Sequence, residues 1–109
     1  MRQTIILKQI PNQTLSTVVG GQVINLNLYT ANKILFCDLY LNKVLIQSGI
    51  KCNQGTYINQ YASDFVGYLF FWDTLDLEPS YINFGGTTTL NYSDTDLLEE
   101  LFLSQVANG

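Results

Sequence analysis

Residues 20–47 read GGQVINLNLYTANKILFCDLYLNKVLIQ, and this stretch decides the fold. Ile24, Leu26 and Leu28 alternate with Asn25, Asn27 and Tyr29, the period of two that turns one face of a strand inward and the other toward water. The Gly20-Gly21 pair ahead of them can take positive φ at both central positions of a hairpin turn. Ala31-Asn32 predicts the next turn. From Lys33 to Leu41 the alternation resumes, with Leu35, Cys37, Leu39 and Leu41 on one face and Ile34, Phe36, Asp38 and Tyr40 on the other. Asp38 and Tyr40 mark that second face as partly wet. Asn42-Lys43 is another two-residue turn, and Val44 to Gln47 returns beside its partner.

Working outward, Thr14 to Val19 reads as the strand before the glycine pair, and Thr4 to Gln9 as a short β-branched strand broken by Pro11. Downstream, Gly55 marks a turn and Thr56 to Ile58 a short strand. Phe65 to Asp73 (FVGYLFFWD) is apolar on both faces, as a strand is when it is central to a sandwich or half buried by another subunit. Gly67 within it predicts a bulge or a close backbone approach. Thr74 to Gly86 is a long loop and Thr87 to Tyr92 the last strand. The end changes character. Ser93 lies three residues before Asp96, close to a capping box, acids fill the following turns, and Leu97, Leu98 and Leu101 recur at helical spacing with Phe102 beside them. The expectation is an all-β body, a small antiparallel barrel or sandwich over residues 1–92, followed by a short amphipathic helix in an extension over residues 93–109.

The chain has 109 residues and 12.3 kDa, one domain's worth. A hydrophobic fraction of 47% suffices for one core and excludes a disordered chain. Only 13% of residues are charged, about half of the ~25% usual in soluble domains. Ten Asn, eight Gln and seven Tyr fill the deficit. Charge depletion with Tyr enrichment is the composition of interface cores. All five cations lie in the first 51 positions and eight of the nine acids from Asp64 onward. That asymmetry could steer head-to-tail contacts, unless the fold interleaves the two halves. Five scattered cations make a poor phosphate track, so no nucleic acid is expected. No apolar run approaches a membrane span. The start MRQTIILKQIP lacks the apolar core and cleavage site of a signal peptide, which predicts a chain made in a reducing cytoplasm with free thiols.

The sequence contains no histidine, which removes His-based triads, His metal sites and imidazole proton shuttles. Two cysteines fall short of a zinc set. Cys37 is expected to be an inert core thiol; Cys52 could be exposed, and pairing of the two is conceivable because the intervening hairpin brings them together. Asp73, Asp76 and Glu78 form the one candidate acidic cluster, but without the spacing of a calcium loop they read as a solvated acidic loop. The glycine pairs lack the pattern of a phosphate loop. No catalysis, metal or cofactor is expected. Tyr68, Phe70, Phe71, Trp72 and Tyr81 could stack on sugar rings, but their density in one strand points to core or subunit interface.

Ile10-Pro11-Asn12-Gln13-Thr14, then Gly21-Gln22, Tyr40-Leu41-Asn42, Gly49, Gly67-Tyr68-Leu69, Asp73-Thr74, Pro79-Ser80-Tyr81, Gly85 and Leu90-Asn91-Tyr92 follow one another in an order and spacing that resembles the baseplate plug proteins of contractile-tailed phages. The resemblance covers roughly residues 3 to 92. The tail after Tyr92 and the scarcity of Arg depart from it. It implies a structural virion protein, assembled in the host cytoplasm and placed in the tail baseplate. Several copies would form a homo-oligomeric ring around the tail axis, bracing or closing the tube end near the spike in contact with hub, tail-tube and spike proteins. The contact residues expected are Pro11, Asn12 and Gln13 in one loop, Pro79 and Tyr81 in another, Tyr68 and Trp72 on the apolar strand, and Leu97, Leu101 and Phe102 on the terminal helix. Neutral carboxamides there can bond a neighbour's backbone without the desolvation cost of ions. The rival reading is a carbohydrate-binding β-sandwich module built on Trp72 and nearby tyrosines.

Overall fold

The computed structural model of the chain describes residues 2–59 and 65–95. Seven strands build it: β1 (Arg2–Ile5), β2 (Gln13–Val19), β3 (Gln22–Ala31), β4 (Ile34–Leu41), β5 (Val44–Lys51), β6 (Tyr68–Asp73) and β7 (Thr88–Ser93), with one 3-10 turn at Tyr81–Asn83. A four-stranded antiparallel sheet has the order β2-β3-β4-β5, and a three-stranded antiparallel sheet the order β1-β7-β6. The architecture is a sandwich rather than a closed barrel. Among the described residues there is no α-helix; the expected terminal helix, with Leu97, Leu101 and Phe102, lies outside them.

The alternation read from residues 20–47 holds in space. Ile24, Leu26 and Leu28 on β3 and Leu35, Cys37 and Leu39 on β4 are buried, facing Leu69 and Phe71 of β6 and Leu90 and Tyr92 of β7 in one core. Their neighbours Asn25, Asn27, Phe36, Asp38 and Tyr40 are half-buried on the outer face. Burying six such side chains stabilises the fold by roughly 1.5–3 kcal/mol each before chain entropy is set against it. Gly20 and Gly21 turn with φ of +55° and +77°. The second turn falls one residue later than expected, on Asn32-Lys33 (φ +50° and +66°), and the third on Asn42-Lys43 (φ +50° and +68°). Both are Asn-Lys pairs with two positive φ values, and the Ala31↔Ile34 pairing leaves Ala31 inside the ladder.

Other expectations need correction. β1 stops at Ile5 because Ile6, 92% exposed, leaves the sheet. The Thr56–Ile58 strand shrinks to a Tyr57↔Phe70 bridge and one Ile58 N–H donated to the Leu69 carbonyl at 2.8 Å. β6 begins at Tyr68, not Phe65, and it is not central: β7 is, with Leu90, Asn91, Tyr92 and Ser93 all buried. β6 is apolar on both sides because Leu69 and Phe71 enter the core while Phe70, on the other face, lies under the Tyr57 ring at 5.9 Å. Cys52 is buried rather than exposed.

Candidate protein interface

Four carboxamides shape the loops of this molecule. Gln13 accepts from the Lys8 N–H at 3.1 Å and donates to the Lys8 carbonyl at 2.7 Å. Gln22 does the same at Val66 (2.9 and 2.7 Å). Asn59 donates to Gly67 O and accepts from Leu69 N, both at 2.9 Å. Gln54 accepts from Asp73 N at 2.8 Å and donates to Asp73 O at 3.3 Å. A carboxamide carries one acceptor and two donors, so each substitutes for a missing strand neighbour. Four of the eighteen Asn and Gln side chains are thereby engaged within the chain rather than offered to other proteins.

A separate set of bonds brings two of the expected contact loops together. Asn12 Oδ1 accepts from the Thr30 N–H at 3.2 Å, and the Pro11 carbonyl from Thr30 Oγ1 at 2.9 Å, which seats the first loop on the end of β3. Gln9 Nε2 donates to the Ile82 carbonyl at 3.3 Å and ties that loop to the 3-10 turn. Between them opens a cleft of about 370 Å³ lined by Pro11, Thr30, Lys33, Ser80, Tyr81 and Ile82. Ile82 is 63% exposed and Lys33 has no ion pair among the described residues. Pro79 is buried and shapes the loop from inside; Gln13 is spent on Lys8. Tyr68 and Trp72 do not reach this cleft. They are half-buried on the outer face of β6, where the Tyr57 and Tyr68 rings meet at 4.8 Å.

The acidic cluster is two different things. Asp76 and Glu78 are exposed, but Asp73 is buried. Its Oδ2 accepts from Thr88 Oγ1 at 2.5 Å and Thr87 Oγ1 at 3.0 Å, and its Oδ1 from the N–H groups of Leu75 (2.8 Å) and Leu77 (3.4 Å). Burial alone would raise its pKa; the Thr88 hydroxyl, the Leu75 amide and the two further donors overcome this and hold the carboxyl below the usual carboxylate range. Asp73 therefore organises the β6–β7 loop and is not a solvated ligand. No group of three metal-ligating side chains occurs among the described residues. The sequence signal for this role was Asp73 opposite a run of three Thr, whose meaning depends on the β6–β7 register.

The charge halves interleave. β1 pairs with β7, and Glu78 Oε2 accepts from Gln54 N at 3.3 Å, three residues beyond Lys51. Lys33 and Lys43 sit at opposite ends of the four-stranded sheet. What this surface can do chemically is bind: it offers apolar side chains, neutral hydrogen-bonding groups and isolated cations. No curated protein matches the chain. The family model described as cyanophage baseplate Pam3 plug gp18 matches residues 2–96, nearly the whole length. The resemblance carried by the ordered motifs thus meets an independent finding of the same kind, and the chain belongs to the cyanophage baseplate Pam3 plug gp18 family.

Proposed function

We propose that this chain is a structural, non-catalytic part of a contractile phage tail that braces or closes the tube end near the spike, held there by contacts with hub, tube and spike proteins and with further copies of itself around the tail axis. The family match over residues 2–96 carries this reading. The family is a baseplate plug family, so the coarse role, a structural component of the virion baseplate, follows directly. The finer role rests on surface chemistry. Ile82 in the wall of the cleft, Ile10 in the loop beside it, and Leu75 and Leu77 in the β6–β7 loop are exposed apolar side chains. A lone domain gains nothing from such a set, whereas a protein neighbour removes it from water. β2 and β5 are sheet edges, and a ring of copies would cover them.

In this reading residues 1–92 are the body and residues 93–109 an extension that touches a neighbour. Isolated particles should contain the chain in fixed stoichiometry with hub and tube proteins, and cryo-electron microscopy should locate it on the tail axis at the tube end. Deleting residues 94–109 should lower its incorporation while the purified body keeps its unfolding midpoint. Particles that assemble, contract and infect without the chain would overturn the reading.

A further inference from the structure

Both cysteines of the chain lie on the β4–β5 hairpin. Phe36 stands opposite Lys51 and Cys37 opposite Ile50, and the Cys52 amide donates to the Leu35 carbonyl at 2.9 Å, extending the same register one residue past the strand. Cys37 and Cys52 therefore project from neighbouring strands to the inner side of the sheet, diagonal to each other. Both are buried and both are free thiols; the Cys37 thiol donates to the Asp38 carbonyl at 3.5 Å and the Cys52 thiol to the Ile50 carbonyl at 3.8 Å. The baseplate role uses neither.

We propose that Cys37 and Cys52 are a latent disulfide, which closes when the protein meets an oxidising medium and staples the exit of β5 to β4. A diagonal pair in one ladder lies about 7–8 Å apart, just beyond the usual span of the bond, so closure requires a backbone shift, which the end of an edge strand can supply. β5 is an edge strand whose pairing shifts register between Cys37 and Tyr40, and Cys52 lies where its ladder ends. Local opening there frees the Cys52 thiol without unfolding the core. Its thiolate attacks one sulfur of a small disulfide such as oxidised glutathione and expels one glutathione thiolate. As β5 closes, the Cys37 thiol loses its proton to solvent and displaces the second glutathione from the mixed disulfide. Two protein thiols are oxidised and one glutathione disulfide becomes two glutathiones. In the closed hairpin the neighbouring Cys52 thiol, together with burial, raises the Cys37 thiol well above its usual pKa, so opening limits the rate. A released virion meets an oxidising medium, where such a bond persists.

The test uses the full chain, reduced with dithiothreitol and then held with oxidised glutathione at about pH 8. The expected product is a monomer lighter by two hydrogens, with no thiol alkylated by iodoacetamide after unfolding and a single Cys37–Cys52 cross-linked peptide on digestion. Its urea midpoint should rise, and dithiothreitol should return it to the reduced value. Two alkylatable thiols at unchanged mass, a lasting glutathione adduct, or a disulfide-linked dimer would each overturn the proposal.

Discussion

Gly67 has φ +98°, and a Cβ placed there would stand 2.6 Å from Cζ of Tyr92. Gly20, φ +55°, meets the same side chain from the other sheet, with its Cβ position 2.9 Å from Cζ and its nearest neighbour the hydroxyl oxygen. Tyr92 is buried between them and donates its hydroxyl to the Val66 carbonyl at 2.9 Å. One ring thus locks the β2–β3 turn against the start of β6, and both glycines are required by close approach as well as by φ. Gly67→Ala should cost about 3 kcal/mol or more in urea unfolding. Tyr92→Phe should cost about 1 kcal/mol, the loss of one hydrogen bond to a Val66 carbonyl that still accepts from Gln22. The hydroxyl oxygen is the nearest atom to both Cβ positions, so both substitutions should cost less in the Tyr92→Phe background, but Gly67→Ala, which still meets two ring carbons at 2.6 Å, should keep more of its cost than Gly20→Ala. Asp73 makes a second residue-scale case. Its carboxyl is depressed in the fold, so its contribution is complete above the unfolded value near 3.9 and is lost as pH falls through the lower folded value. Asp73→Asn should destabilise by about 2–3 kcal/mol at neutral pH and flatten the acid limb of the stability curve, read from urea midpoints along a pH series.

The elements show which features local sequence encodes and which it cannot. The β3–β4 and β4–β5 hairpins were legible because alternation and Asn-Lys turns are written within eight or ten residues. β5 ran on to Lys51 rather than Gln47 for a reason held in another strand: Asp38 Oδ1 accepts from the Gly49 N–H at 2.8 Å while its Oδ2 accepts from Asn27 Nδ2 at 3.3 Å. That carboxylate stabilises an irregular strand with Gly49 at φ +64°. The late start of β6 has the same kind of cause, since Gln22 and Asn59 hold the backbone of Val66, Gly67 and Leu69. Gly67's close approach could be read in advance because glycine in an apolar strand is itself a signal; a clamp by a glutamine 44 residues away has no local signature. The cleft was half legible: Pro11 and Tyr81 stood out, but their meeting depends on Gln9 and Thr30. Asp38→Ala should therefore leave β2 and β3 protected while amides of residues 46–51 exchange faster with deuterium, at a cost of about 1–2 kcal/mol. Uniform loss of protection over the whole sheet would contradict a local role.

At the scale of the molecule, a small sandwich has two ends and two outer faces through which to meet neighbours. The end bearing the Gly20-Gly21 and Asn42-Lys43 turns exposes Val44 at 63% and Val66 at 69%, whereas the opposite end gathers Ile82, Tyr81, Pro11 and Lys33 around the cleft. What separates the two is that Ile82 stands in the wall of a cleft, and an anchor in a pocket is desolvated far more completely than a side chain on an exposed turn. Tyr81 also packs on the core, so its removal would confuse folding with binding. Ile82 does not have that defect: its side chain is exposed, and Ile82→Asp should shift the urea midpoint by no more than about 0.5 kcal/mol. Placed in a protein contact, the same substitution buries an unpaired carboxylate, and incorporation into baseplates should fall about tenfold or more. Val44→Asp, equally exposed at the turn end, serves as the counterpart and should assemble normally. Quantifying the chain in purified particles after complementation with each variant reads both outcomes. If Val44→Asp blocks assembly and Ile82→Asp does not, the molecule meets its neighbours by the turn end, and the cleft is a product of loop packing alone.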